Sequence, residues 1–469
     1  MVSSANTVSH RSWSRELQAA ARLAWPLALS QVGHHFLGFT DTFLAGKVDA
    51  ATLGAVSIGH AVYFSTAVLG MGMMMGLDAV ASQSLGANRS RAGRRALWQG
   101  IYIALAMTVP LGILMLTVAE SLPLFGVVPE LYVETAEYIR SRVFSLTPFM
   151  ILIACRSYLQ ASQVTRPVVL SVVIANLFNI VADSIALFGD DALRAVGLPA
   201  VGLPRLGAFG VGISSTLASL AQVAVLAWAV RYVPVKPGPR SFRRPDRDLL
   251  RRVVWVGGPV SLQLFAEVFI FAATGIVMGT LGAEVAAAHQ VALIYASLAF
   301  SVCVGIGAAA AVLVGRAVGA GDHHAARRAG LATLALAVGV MSVSATLMVT
   351  AGESLSRFVI DKRSVVPLAN QLLFIAAVFQ LVDGVQAVSA GALRGAGVTR
   401  FSLISNLLGH WAIGIPVGLV LAFPLGLGPR GLWWGLTAGL TFVAVALTSK
   451  FIQVTSRPID SVVEAVSDD

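Results

Sequence analysis

Charge is scarce in this 469-residue chain: Asp, Glu, Lys and Arg together make up 12% of it, about half of the roughly 25% usual in soluble domains. Too little charge remains to solvate a globular surface of this size, which excludes an ordinary soluble protein. Cysteine is scarcer still. Cys155 and Cys303 both lie in apolar stretches, so a disulfide framework and a cysteine-rich metal site are excluded and free thiols are expected. Several reaction classes also lack their motifs: there is no GxxxxGK[ST] loop for ATP, no HExxH, no GxSxG, no paired aspartate in a GxGD context and no Cys-His nucleophile arrangement. The reading is therefore of a protein that is not an enzyme and carries no cofactor.

What the chain has in abundance is apolar length. Hydrophobic residues make up 57% of it and mean hydropathy is +0.80. Apolar stretches of about 20 residues recur from end to end, the mark of an all-α polytopic membrane protein. The 45 glycines fit that class, because small residues let membrane helices approach closely. Twelve spans are expected, at about 23–45, 52–82, 96–119, 137–160, 167–189, 207–230, 253–279, 285–314, 329–350, 367–392, 401–424 and 431–454. The first is too long and too poorly flanked for a cleaved signal peptide. Basic residues cluster in alternate connectors, as in Arg89 to Arg95, the linker "RYVPVKPGPRSFRRPDRDLLRR", Arg327-Arg328 and Arg394 to Arg400. The net charge of +10 is thus read as basic cytoplasmic loops and not as a nucleic-acid surface. The positive-inside rule puts both termini in the cytoplasm, with the chain in the cytoplasmic (inner) membrane. Arg140, Arg142, Lys362 and Arg363 run against the trend.

The linker divides the spans six and six, and the halves match. A displacement of 233 residues puts Pro26 on Pro259, Phe36 on Phe269, Gly46 on Gly279, Gly72 on Gly305 and Gly86-Ala87 on Gly319-Ala320. Such self-similarity marks an internal duplication. Six spans is an even number, so the halves share one topology. Parallel repeats of this kind enclose a central cavity and alternate its access by rocking. The expected organisation is a cytoplasmic N-terminal segment (1–20), an N-terminal lobe (21–230), a basic linker (231–252), a C-terminal lobe (253–455) and a cytoplasmic tail (456–469).

Four acids lie within the spans and away from the basic loops: Asp41, Asp183, Glu267 and Asp383. An ionisable group at that depth is costly unless it meets water, a partner or an ion. Asp41 and Asp183 each precede an exit glycine, Gly46 or Gly189, by five or six residues, which puts them at similar depth. Asn176, Asn179 and Asp183 are spaced i, i+3, i+7 on one helical face. With the hydroxyl of Thr216, these carboxylates and amides make an all-oxygen group suited to Na⁺ or to a shared proton. Glu267 and Asp383 form a second pair at comparable depth in the other half. At a displacement of 233 Asp41 and Glu267 fall on Thr274 and His34, and at 234, which puts "VTR" at 164–166 on "VTR" at 398–400, Asp383 falls on Phe149, so the halves share architecture and differ in chemistry.

Other polar residues have plainer readings. Asp78 is expected to make a local polar contact near the end of its span, and His289 a helix-end contact. Adjacent His34 and His35 point about 100° apart, against joint metal binding, though His34 is a candidate for the cavity wall. Gln263 and Gln386 either bind a substrate or pair helices. "GMGMMMG" at 70–76 reads as packing around glycines.

The stretches "TDTFLAGKVDAATLGA", "VASQSLGA", "LQASQVTRP" and "NLFNIVADSIALFG", then "GGPVSLQLFAEVFIF", "LGAEVAAAHQVAL", "VLVGRAVGAGD" and "FQLVDGVQAVSAGALRGAGVTR", resemble the multidrug and toxic compound extrusion (MATE) family, with NorM-type features, from about residue 20 to 455. The resemblance implies a V-shaped pair of six-helix lobes that exports cationic or amphipathic compounds in exchange for Na⁺ or H⁺. It matches Asp41 to the first-helix acid, Asn179 and Asp183 to the first-lobe cation site with Thr216 a looser match, and Glu267 and Asp383 to the second-lobe acids. Many NorM-type chains lack an acid at the Asp183 position, whereas this chain has carboxyl pairs in both lobes. The partners implied are a small organic substrate and the lipid bilayer, with the chain acting as a monomer. A flippase for a lipid-linked precursor is the alternative. For it, Arg156 and Arg394 near the inner ends of spans four and ten are the residues to watch.

Overall fold

The computed structural model describes residues 13–237 and 243–463. The outer parts of the expected N-terminal segment and tail, and residues 238–242 of the linker, lie outside the described residues. Twelve long helices carry the fold: α1 (Trp13–Ala45), α2 (Ala50–Gly86), α3 (Ser90–Ser121), α4 (Pro129–Ala161), α5 (Arg166–Phe188), α6 (Gly207–Arg231), α7 (Arg247–Thr280), α8 (Ala283–Gly319), α9 (His323–Thr350), α10 (Val366–Gly395), α11 (Arg400–Ala422) and α12 (Pro429–Val454). Among the described residues, eleven are long and apolar enough to cross a bilayer. The exception is α1, whose length suffices but whose apolar run is diluted by Gln31, His34 and His35. Polar residues concentrate there because α1 borders both the cavity and the acid group described below.

Local chemistry sets the helix ends. Asp49, Asp246 and Asp322 cap α2, α7 and α9 by accepting from the backbone N–H of Thr52, Leu249 and Ala325 at 2.7, 3.1 and 2.7 Å. Proline opens α4, α5, α10 and α12, where its missing N–H costs nothing. Within the membrane α2 breaks at Met75, α4 tightens at Val143–Ser145, and α11 widens into a π segment at Leu408–Gly414.

The two lobes meet through α1 and α2 against α7 and α8. Contacts at this seam come in pairs that obey the sequence displacement. Gly72 lies against Val260 and Ser261, and Gly305 against Leu27 and Ala28. Gly86 lies against Arg316, and Gly319 against Gln83. Each second contact is the first with both numbers exchanged by 233, as a two-fold axis between repeats requires. At these four glycines backbone meets backbone, and a methyl group would force the lobes apart.

The seam closes the end of the molecule that carries the basic loops. There Ser261 Oγ donates to Leu69 O (2.7 Å), Gln83 Nε2 to Gly395 O (2.9 Å), Arg316 Nη1 to Ala161 O (2.8 Å) and Arg394 Nε to Asp78 (3.2 Å), all between lobes. The chain after α12 adds a strap: the Val462 N–H donates to Gln83 Oε1 at 2.7 Å, and Val463 is buried in the core of the first lobe. Toward the other end the lobes part in a V around a cavity of about 660 Å³.

Candidate functional site

In the first lobe α1, α5 and α6 bring a polar group together in a dry setting. Asp41, Asn179 and Asp183 are 1%, 1% and 0% exposed. Asp41 Oδ2 accepts from Ser215 Oγ at 2.8 Å, while Asp41 Oδ1 has no donor. Asp183 faces Asp41 and Ser214, but the Ser214 hydroxyl donates to Gly210 O, and neither Asp183 oxygen has a partner. Both side-chain atoms of Asn179 are equally unpartnered. Buried polar atoms left without partners cost about 1–3 kcal/mol each, and their concentration at one point is a feature that needs a reason. Four of these atoms are oxygens: Asp41 Oδ1, both of Asp183 and Asn179 Oδ1. That donor set fits a proton or a hard monovalent cation. Among the described residues no group of three or more His, Cys, Asp or Glu side chains is placed to hold a metal ion.

The other first-lobe candidates sit beside this group. Asn176 donates to Gly33 O and Val172 O, both at 2.9 Å, and so ties α5 to α1. Thr216 Oγ1 donates to Gly212 O at 2.9 Å; its neighbour Ser215 is the hydroxyl that reaches Asp41. Three residues not singled out from sequence complete the surroundings. Arg142 of α4 is in electrostatic reach of both aspartates, stacks 4.2 Å over Tyr63, and has Nε and Nη1 without partners. Half-buried His60 and the buried Tyr138 hydroxyl lie nearby, each with an unpartnered polar atom. The sequence held one signal for this cluster: Arg142 stands on the side of the membrane where basic residues are rare.

The second lobe is arranged differently. Glu267 Oε1 accepts from Gln263 Nε2 (3.1 Å), Gln386 Nε2 (3.0 Å) and Asn406 Nδ2. Three helices, α7, α10 and α11, thus converge on one oxygen, and Oε2 has no donor among the described residues. Asp383 lies close to Glu267 and to Cys303, 8% exposed, with no hydrogen-bond partner among the described residues. Asn406 was missed from sequence because a single membrane asparagine carries no pattern of its own.

Between the lobes, the cavity wall draws on both. His34, His35, His60 and Gln222 face Gln263, Glu267 and Gln386, with Phe39, Tyr63, Phe64, Phe149 and Phe300 as the aromatic surface. His34 is therefore in the wall, its Nδ1 2.7 Å from Ser30 O. Gln263 and Gln386 both line the cavity and pair helices. Asp41, Asn179 and Asp183 are absent from the wall. The floor, at the closed end, holds Asp78, Arg156 and Arg394. Two expectations are corrected here. The Asp78 carboxylate makes a buried ion pair between lobes in place of a local contact, because its helix face abuts α10, and only its backbone carbonyl takes a local donor, the Ser82 hydroxyl. His289 makes no polar helix-end contact among the described residues: it packs edge-on against Trp433 at 5.7 Å, with both ring nitrogens unpartnered.

Comparison with known proteins agrees with this architecture. A family model described as MatE matches residues 26–185 and 259–420, two segments that begin at the equivalent prolines Pro26 and Pro259. The chain is similar to the multidrug resistance protein NorM of Burkholderia vietnamiensis, with 35% identity over 463 residues and 96% of each chain covered. It is also similar to the probable multidrug resistance protein NorM of Brucella suis, at 32% identity over 449 residues, covering 94% of this chain and 93% of the relative. The crystal structure of MATE in the straight conformation shares the fold at a TM-score of 0.84 and 18% identity, covering 94% of this chain and 96% of the other.

Proposed function

This chain belongs to the MatE family, and from that premise we propose that it is a multidrug efflux antiporter: it expels amphipathic, often cationic, organic compounds against inward flow of H⁺ or Na⁺. The observation that carries the reading is the pairing of a stripped, buried acid group in one lobe with an organic-sized cavity walled by both lobes and closed at one end only. The aromatic wall supplies apolar contact and the Glu267 carboxylate attracts a cationic head. A cation at Asp41, Asn179 and Asp183 binds the outward- and inward-facing arrangements unequally, and only such a difference lets an ion drive the change. Because both acid groups and the cavity are complete within one chain, it works as a monomer. The basic loops lie at the closed end, which supports a cytoplasmic face there, an inner-membrane location and efflux toward the open end. The lobes divide at the linker, with 21–230 and 253–455 as the rocking bodies.

The test is transport of a cationic dye in proteoliposomes under separately imposed proton and Na⁺ gradients. Efflux driven by one of them names the ion. Dye movement indifferent to both gradients would overturn the proposal.

A further inference from the structure

The floor of the cavity has a charge balance opposite to that expected for a cation exporter. Two guanidiniums, Arg156 of α4 and Arg394 of α10, meet one carboxylate, Asp78 of α2. Arg394 takes that carboxylate, Nε to Oδ2 at 3.2 Å, with both side chains at most 8% exposed. Arg156 is left with a neutral partner: its Nη1 donates to Gln31 Oε1 at 2.8 Å. No carboxylate lies within 4.0 Å of Arg156 among the described residues. Nearer the open end, Arg142 also lines the wall, but Asp41 and Asp183 behind it offset its charge. The floor keeps an excess of one positive charge, since the single carboxylate of Asp78, paired with Arg394, is also the one in electrostatic reach of Arg156.

Arg156 is half-buried in the cavity wall, and a partly desolvated guanidinium gains from an anion or several acceptors. In a membrane-embedded cavity such a group marks a substrate path by default. Its planar fork of donors matches a carboxylate or sulfonate, which can accept two parallel hydrogen bonds. On the opposite side of the same cavity, Glu267 keeps Oε2 without a donor among the described residues and offers a place for an amine. We propose that Arg156 is the specificity residue of an anion subsite at the cavity floor, and that this transporter favours amphipathic zwitterions bearing a carboxylate or sulfonate over cations of the same skeleton. Arg394, already held by Asp78, contributes long-range attraction. The inference rests on the efflux reading above.

Rhodamine B and its ethyl ester share one fluorescent cationic core and differ in a free carboxylate. Binding of each to the purified full chain in nanodiscs, and efflux of each from proteoliposomes, give an acid-to-ester preference. The wild-type chain prefers the acid. Arg156→Gln lowers that preference about tenfold, the order expected for losing one charge-assisted pair, and Arg156→Lys restores part of it. Asp78→Asn removes the floor's carboxylate and moves the preference the other way. A structural role for Arg156 predicts no such opposition of sign. Equal loss of both dyes in Arg156→Gln, or a wild-type preference for the ester, overturns the proposal. Transport of neither dye by the wild-type chain, with binding of both retained, counts against the efflux reading instead.

Discussion

The two lobes carry the same six-helix architecture and treat their buried acids in contrasting ways. In the first lobe, Asp41 has one hydroxyl donor, Asp183 has none among the described residues, and both stand away from the cavity wall. In the second, one oxygen of Glu267 collects three amide donors and the residue lines the cavity, while only Asp383, off the cavity wall, has no hydrogen-bond partner among the described residues. A carboxylate stripped of protein donors has the most to gain from a small cation. One already satisfied holds its charge in place for a larger ligand. On the function proposed above, the duplication supplied two equivalent scaffolds, and a few side chains divide an ion-binding task from a substrate-binding one between them.

The comparison predicts an order of effects. Asp41→Asn or Asp183→Asn should abolish gradient-driven efflux in proteoliposomes, because an amide neither exchanges a proton nor offers a full negative charge. Flux close to wild type in both would erase the distinction between lobes. Next in size, Glu267→Ala leaves the amides of Gln263, Gln386 and Asn406 without an acceptor and should cost about 3 kcal/mol of stability, seen as a lowered unfolding midpoint. Glu267→Gln keeps the shape and should cost less, while weakening binding of a cationic dye about tenfold. Unchanged dye affinity would remove Glu267 from the substrate path.

Smaller effects sharpen the boundary of the first-lobe group. Ser215→Ala takes away the donor on Asp41 and should shift the ion concentration for half-maximal transport by several-fold, about 1 kcal/mol. Thr216→Val should leave that midpoint in place, since its hydroxyl serves backbone carbonyls. Asn176→Ala should lower stability by about 1 kcal/mol through the lost tie to Gly33 O, with ion dependence unaltered. A changed ion dependence in Asn176→Ala would extend the group one turn along α5.

Much of this was legible in the chain. The apolar lengths called for twelve spans, and twelve long helices form. The displacement of 233 residues reappears as paired glycine contacts across the lobe seam. Helical periodicity put Asn179 and Asp183 on one face, and matching depth put Asp41 near them. What escaped were partners supplied by a third helix: Ser215 beside Thr216, Arg142 behind the aspartates, Asn406 on Glu267. Spacing within a helix says nothing about which neighbour faces it.

The sequence by itself determined the solvent, the number of long apolar segments, the repeat and the relative depth of each acid, because apolar runs of about 20 residues cross hydrocarbon as helices and every residue advances a helix by a fixed rise. Tertiary structure decided which acids stand bare and which are satisfied, and that Asp78 bridges lobes to Arg394, which leaves Arg156 without a carboxylate within 4.0 Å among the described residues. Those outcomes depend on lateral packing, where the rotation of one helix against another sets each side chain's partner.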